Sequence, residues 1–361
     1  VGADRRHTRR PSRSPRTPRS LTSRACLAAA CGGTPAADDI DLPDAKPGQV
    51  DAAIDAPPPK VVRFAAIGDT GKGNTDQRAV AVAMRDVCAA RGCDFVLMLG
   101  DNIYDSGVDS TSSPEWQTKF EQPYADIDLP FYAVLGNHDY GGNILGIEAG
   151  GVGNEWNLGQ IEVDYTQVST KWKMPATHYT LKRGHVGFLM LDTNAIMWGN
   201  TTYGDQAAWL PTAMQELAGS EWIFVAGHHP YRSNGEHGNA GNYDAPELLG
   251  IPIPNPIPQL NGSEVKAFFD DHLAGVGQVY FAGHDHSRQW LDEADMLGGT
   301  ELIVNGAGAT VTSLRDRGNQ VFWQDATIPG FLYVTVVDDR FTGEFFDKAG
   351  VSQYTRSFTH P

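Results

Sequence analysis

Five apolar segments of this 361-residue chain end in glycine followed at once by a side chain able to hold a metal: Gly68-Asp69, Gly100-Asp101, Gly136-Asn137, Gly227-His228 and Gly283-His284. One Gly-Asp pair means little, but the same punctuation recurs at separations of 32, 36, 91 and 56 residues. Carboxylate and amide oxygens mixed with imidazole, with no thiolate among them, suit divalent or trivalent first-row metals and zinc, and argue against soft copper or iron–sulfur sites. Two such metals sharing a bridging carboxylate can clamp the attacking and leaving oxygens of an in-line displacement at phosphorus. They also ionise water near neutral pH. The chemistry suggested is hydrolysis of a phosphate ester.

Strands must bring these residues together. Val61–Asp69, Phe95–Asp101, Phe131–Asp139, Trp222–His228 and Val279–His284 are short apolar runs that read as buried strands. In open α/β sheets, ligands collect in the crevice at the carboxyl ends of strands. Between the runs, Thr75–Arg91 sets Val80, Met84, Val87 and Cys88 on one helical face. Helices are also expected over 204–218 and through Val265, Phe268, Phe269 and Leu273, and strands over Leu302–Asn305 and Phe331–Val337. The fold class is α/β, without internal repeat. Forty glycines, well above the roughly 7% of average chains, point to tight turns and close backbone approach.

The formal charge of −16 hides two opposite parts. Residues 1–30 carry eight Arg and one Asp, a sum of +7, and leave −23 for the rest. An acidic body disfavours nucleic acid and anionic membrane surfaces as partners. No apolar run approaches the roughly 18 residues of a membrane span. Residues 1–31 read as an Arg-rich leader, 32–60 as an acidic Pro/Ala/Asp linker and 61–361 as the folded domain. Ala25–Cys31 followed by two glycines resembles the end of a bacterial lipoprotein signal, with Cys31 as the lipidated residue, so export is expected. Cys88 and Cys93 read first as ordinary buried thiols. A bridge is the alternative, if Gly92 ends the helix and folds Cys93 back.

The blocks GDxG at 68–71, GDxxY at 100–104, GNHD at 136–139, VxxH at 225–228 and GHxH at 283–286 together resemble the purple acid phosphatases. That family lies within the calcineurin-like metallophosphoesterase superfamily. AWL at 208–210 and GEHG at 235–238 resemble its small, tartrate-resistant type, and the likeness runs from about Val61 to Phe358. It implies a metallophosphatase fold, two packed β-sheets flanked by helices. It also implies that Asp69, Tyr104 and His286 bind Fe(III), that Asn137, His228 and His284 bind a second divalent metal (Fe, Zn or Mn), and that Asp101 bridges the two. Tyr104 discriminates within the superfamily. Other metallophosphoesterases usually carry His where Gly71 stands, and protein Ser/Thr phosphatases carry Asp in place of Tyr104. A phenolate is a hard anionic donor that favours Fe(III) and colours the family purple.

The resemblance makes His138 and His237 the catalytic histidines, facing a phosphate oxygen or the leaving alcohol. Asp139 and Asp285 are expected to accept from neighbouring imidazoles, and His229 to pack behind the ligands. His178, His185 and His272 belong to no block and read as structural, and the GDTGKG at 68–73 lacks P-loop spacing. The expected activity is an acid phosphatase that hydrolyses phosphomonoesters with a metal-bound hydroxide, taking a small phosphate ester and releasing inorganic phosphate. A phosphodiesterase or phospholipase-D-like hydrolase on the same site is the second reading, and a surface metal-binding or redox protein the third. Segments 141–159 and 246–259 look like insertions bordering the site mouth, where loops set substrate range.

Overall fold

A computed structural model describes residues 58–360 apart from 203, 245–246, 249–250, 253–255 and 293–296. The leader, Cys31 and the linker up to residue 57 lie outside the described residues. In chain order the first half holds β1 (Val61–Ile67), α1 (Thr75–Arg91), β2 (Phe95–Leu99), β3 (Phe131–Val134), β4 (Asn143–Ile144), β5 (Ile147–Glu148), α2 (Trp156–Tyr165), β6 (Trp172–Lys173), β7 (Tyr179–Arg183) and β8 (Val186–Met190). Then come α3 (Thr193–Met197), α4 (Gln206–Glu216), β9 (Trp222–Ala226), β10 (Glu247–Leu248), β11 (Ile251–Pro252), α5 (Pro258–Asn261), α6 (Ser263–His272) and β12 (Val279–Ala282). The chain ends with β13 (Arg288–Leu291), β14 (Glu301–Asn305), β15 (Val321–Asp325), β16 (Gly330–Val337), β17 (Arg340–Asp347) and β18 (Ser352–Thr359).

Two seven-stranded mixed sheets result. The first runs β18-β17-β16-β1-β2-β3-β6 and the second β15-β13-β14-β12-β9-β8-β7. Their middles are parallel, β1 to β2 to β3 in one and β8 to β9 to β12 to β14 in the other. Parallel strands are covered on both faces. Accordingly β2, β8 and β12 are buried at every residue, which is why they appear in the sequence as unbroken apolar runs. The antiparallel outer strands are less visible there. β18, for example, is exposed or half-buried throughout and polar in composition.

The sheets meet through aromatic rings. Phe64 of β1 stacks on Phe95 of β2 at 4.9 Å and meets Phe188 of β8 and Phe281 of β12 edge-on at 5.6 and 5.8 Å. Each such ring contributes roughly 1.5–3 kcal/mol by burial. This shared apolar layer fixes the carboxyl ends of β1, β2 and β3 opposite those of β9 and β12.

Helix α1 starts at Asn74, whose side chain accepts from the Gln77 N–H, and buries Val80, Met84, Val87 and Cys88, the face read from the sequence. Gly92 caps its end at φ 84° and donates to the Cys88 carbonyl. That turn brings Cys93 back onto Cys88, and the two form a disulfide, with Cα atoms 5.0 Å apart, rather than standing as free buried thiols. The closed loop is short, so loop-closure entropy assigns the bridge about 2 kcal/mol. Replacing both cysteines by serine should lower unfolding free energy in urea by about that amount; a change of less than about 0.5 kcal/mol would show that the helix end holds without the bridge.

Candidate metal centre

Asp69, Asp101 and Asn137 follow β1, β2 and β3, neighbours in the first sheet, and His228 and His284 follow β9 and β12, neighbours in the second. Asp69, Asp101 and His284 sit at φ 57°, 51° and 68°. Left-handed backbone costs a non-glycine residue of the order of 1–2 kcal/mol, and it turns each side chain inward at the second residue past the strand. The preceding glycines let the ends close up. A Cβ on Gly100, itself at φ 85°, would lie 2.6 Å from His228 Nδ1, and one on Gly136 would lie 2.2 Å from Asp101 Oδ1.

Two groups of donor atoms form around Asp101. In the first, the Tyr104 hydroxyl lies 3.0 Å from Asp69 Oδ1, 2.8 Å from Asp101 Oδ2 and 2.9 Å from His286 Nε2. In the second, His228 Nε2 lies 3.0 Å from Asn137 Oδ1, 3.2 Å from His284 Nδ1 and 3.4 Å from Asp101 Oδ1, and His284 Nδ1 lies 3.1 Å from Asn137 Oδ1. Asp101 thus turns one oxygen to each group. Among the described residues, Asp69, Asp101 and His228 offer ligand atoms within 4.8 Å of one another.

The donor set fits metal ions because it holds too few hydrogens for its lone pairs. The single hydrogen of Tyr104 is shared among three close polar atoms, two carboxyl oxygens and an imidazole nitrogen. His228 Nδ1 donates to the Leu99 carbonyl at 2.8 Å, so in the neutral ring, the form a metal requires, the Nε2 lone pair would face the Asn137 oxygen with no hydrogen between them. Edges near 3 Å are also those of an octahedron with bonds of about 2.1 Å.

Protonation shows the same conflict. Burial pushes Asp69 up to about 8, against the pull of His228, while Asp101 is held at about 2, burial being outweighed by His228, His138 and the His138 N–H. Burial and the charges of Asp101 and Asp69 drive Tyr104 well above its usual range. Burial lowers His286 to about 4 and holds His284 well below its usual range, so both imidazoles are neutral, the form a metal requires.

His138 joins the first group: its ring lies 4.4 Å from that of Tyr104, and its Nδ1 donates to the Asp105 carbonyl at 2.6 Å. His237 stacks on His284 at 4.1 Å, and its Nδ1 bonds Asp244 Oδ1 at 2.7 Å. Burial would lower His237, but Asp244 and then Asp285 raise it to about 9. Lys72 lies 4.1 Å from the Tyr104 ring centre. His178 packs on Trp209 and His272 on Phe268, away from the cluster.

The residues behind the ligands behave differently from expectation. Asp139 accepts from no imidazole; its oxygens take the N–H groups of Gly136, Asn102 and Ile103 and the Asn102 side chain at 2.8–3.0 Å. Asp285 likewise holds backbone, accepting from His237 N at 2.7 Å and Gly238 N at 3.2 Å. Both sit beside sharp turns whose N–H groups point at the nearest carboxylate. His229 is fully buried and bonds Thr193 Oγ1 at 3.0 Å.

The sequence reading passed over several supporting residues. Thr193 Oγ1 also accepts from the N–H groups of His228 and His229. Asp192 caps α3 and takes the Tyr140 hydroxyl at 2.5 Å, and the fully buried Glu162 accepts at 3.3 Å from the Asn102 side chain, which also donates to Asp139. Asp192-Thr193 ends the apolar run of β8 much as Asp69 or His228 ends its own, but without a glycine to mark it.

Residues 62–288 match the family model for calcineurin-like phosphoesterases. The chain is 25% identical over 334 residues to tartrate-resistant acid phosphatase type 5 of Sus scrofa, covering 82% of this chain and 86% of that protein. It is 26% identical over 305 residues to purple acid phosphatase 3 of Arabidopsis thaliana, covering 80% and 75%. Among solved structures, GAP50, the anchor in the inner membrane complex of Plasmodium, superposes with a TM-score of 0.61 at 20% identity, over 83% of this chain and 89% of that one. PhoD gives a TM-score of 0.52 at 12% identity, over 83% and 70%. These likenesses extend to the fold of two packed sheets.

Burial raises Asp192 to about 6, against the Tyr140 hydroxyl and the Ala195 N–H. A raised carboxyl gives its full stabilisation below the unfolded value near 4 and loses it as pH climbs through about 6. Asp192→Asn keeps a cap and an acceptor. Its stability relative to the parent, measured by urea unfolding, should therefore rise by about 3 kcal/mol between pH 4 and pH 7; a flat difference would show that Asp192 does not ionise in the fold.

Proposed function

The chain belongs to the calcineurin-like phosphoesterase family, and we propose that it is an acid phosphatase hydrolysing phosphomonoesters at a centre of Fe(III) beside a second divalent metal, iron, zinc or manganese. The carrying observation is the Tyr104 hydroxyl, within 3.0 Å of Asp69, Asp101 and His286 in a site almost closed to water. A phenolate among two carboxylates is a hard, anionic donor set that favours a trivalent ion. The named relatives, acid phosphatases of pig and plant, support the same reading.

In this proposal Asp69, Tyr104 and His286 hold one ion, Asn137, His228 and His284 the other, and Asp101 both. Bound there, the pair supplies Lewis acidity toward a phosphoryl oxygen and a nucleophile drawn from water at mild pH. The chain supplies positioning and protons. The Asp105 carbonyl keeps a proton on His138 Nδ1, so Nε2 is the nitrogen left for substrate, and in the imidazolium form its N–H is the one that would bond a phosphate oxygen or pass to the leaving alcohol. Asp244 occupies His237 Nδ1 and favours the imidazolium, which leaves Nε2–H as a cationic donor at acid pH. Asn137 and the two neutral imidazoles add no negative charge, so their half of the centre stays cationic within an acidic chain. A small phosphate ester and inorganic phosphate are the ligands this favours.

We also place the enzyme outside the reducing cytosol, as an exported protein with its folded domain over 61–361 behind the leader and linker. The Cys88–Cys93 bridge supports that, because disulfides persist in oxidising compartments. Among the described residues no helix is long and apolar enough to cross a membrane.

Elemental analysis of purified protein should find iron plus one further metal, with a visible band that Tyr104→Phe removes; a colourless protein holding only zinc or manganese would overturn the tyrosinate assignment. His138→Ala should lower kcat on an aryl phosphate by about 10²- to 10³-fold with metal content unchanged. The parent should prefer the aryl phosphate to a bis-aryl phosphate, and faster turnover of the diester would replace this reading with the phosphodiesterase one.

A further inference from the structure

The segment between β3 and α2, which the sequence marks as an insertion, reaches into the centre at one atom. Asn137 turns Oδ1 toward His228 Nε2 at 3.0 Å and His284 Nδ1 at 3.1 Å, and its Nδ2 donates to the Gly151 carbonyl at 2.7 Å. A carbonyl oxygen only accepts. Position 137 must therefore present a donor to Gly151, which leaves its oxygen facing the cluster. A carboxylate there would set oxygen against oxygen at the same distance and add a negative charge to that half of the centre.

The carbonyl is held firmly. Gly151 sits at φ 86°, a conformation glycine adopts readily and other residues rarely do. Its N–H and that of Gly153 both donate to the Gly141 carbonyl, at 3.1 and 2.8 Å. Asn194 of α3 donates to the Gly153 carbonyl at 2.9 Å, tying the segment to the helix that also carries Thr193. A Cβ at Gly151 would come within 2.7 Å of His138 Cε1 and Nε2, so the same residue walls the His138 ring. The hairpin tip beyond it, with Ile144, Leu145 and Ile147 exposed, makes none of these contacts.

We propose that the Gly151 carbonyl is a positioning group for the second metal: by demanding a donor it selects an amide over a carboxylate at 137 and aims that amide's oxygen. The inserted segment is on this account part of the metal centre, and the inference rests on the dinuclear reading above.

The test is Zn²⁺ binding by calorimetry on iron-loaded protein, with the visible band as a separate report on the Tyr104 half. Carboxylates ordinarily hold divalent ions better than amides, yet Asn137→Asp should weaken Zn²⁺ binding by about 10- to 100-fold and leave the band in place. Gly151→Ala should weaken it similarly, while Leu145→Ser at the tip should not change it. Asn137→Asp is nearly isosteric, so its melting curve distinguishes a binding defect from misfolding. Zn²⁺ affinity in Asn137→Asp equal to or above the parent's would overturn this inference alone. A parent that takes up no second metal would overturn the dinuclear reading beneath it.

Discussion

Lone pairs from Asp69, Asp101, Tyr104, Asn137, His228, His284 and His286 face one another across about 3 Å in a largely buried space. Such crowding is unfavourable without cations, because each pair of facing acceptors repels and each has lost its water. The rest of the fold can be read as what holds that arrangement in place. Strand ends from two sheets are fixed opposite each other by a shared aromatic layer, and backbone N–H groups take what charge they can. The His284 N–H donates to Asp69 Oδ2 at 2.9 Å, and that of His138 to Asp101 Oδ1 at 2.9 Å. Burial dominates at Asp69 and raises it, whereas His228, His138 and the His138 N–H outweigh burial at Asp101 and lower it, so the two carboxyls take opposite protonation states.

A second layer keeps the first from relaxing. Asp139 gathers four N–H groups from the turns after β2 and β3, so the backbone that carries Asp101 and Asn137 is bound to a single carboxylate. Burial and the Asp101 charge raise Asp139 to about 7, and burial and Asp139 raise Glu162 well above its usual range. The pair therefore retains a proton near neutral pH, which lets two acids share one buried place at a lower cost than two charges. On the other sheet, Thr193 does a comparable job for His228 and His229 with a neutral hydroxyl. The asymmetry follows the charges in front: anionic ligands are backed by a web of N–H donors, and imidazoles by a hydroxyl and a carbonyl.

In the proposed function, the same asymmetry lets an acidic protein attract a small anion. In the proposed centre, with its metals bound, Asp69, Asp101 and Tyr104 would bring negative charge to one half, and only Asp101 would reach the other, whose remaining donors, Asn137, His228 and His284, would be neutral. The Gly151 carbonyl contributes by keeping an amide, without charge, at the position where a carboxylate would otherwise bind. Net charge of −16 still weighs against extended polyanions, whose many phosphates meet the whole surface. A single phosphate meets only the local field.

Much of the site was legible in the chain because five of the seven donor-bearing residues close an apolar run and are marked by the glycine before them, with Tyr104 and His286 two or three residues further on. The parallel strands were legible for a related reason: burial on both faces leaves no polar positions to interrupt them. The polar antiparallel strand β18 and the two-residue strands were not, since their pairing depends on neighbours outside the local pattern, and the bridge between Cys88 and Cys93 was legible only as an alternative, because it turns on one backbone angle at Gly92. Sequence by itself determined which side chains could offer lone pairs and at what points along the chain they would appear. Only the tertiary structure decided which oxygens face which nitrogens, that Asp139 and Asp285 hold backbone rather than imidazoles, and that an inserted carbonyl aims Asn137. Those outcomes are set by directions of hydrogen bonds among segments far apart in sequence, and residue type alone does not encode direction.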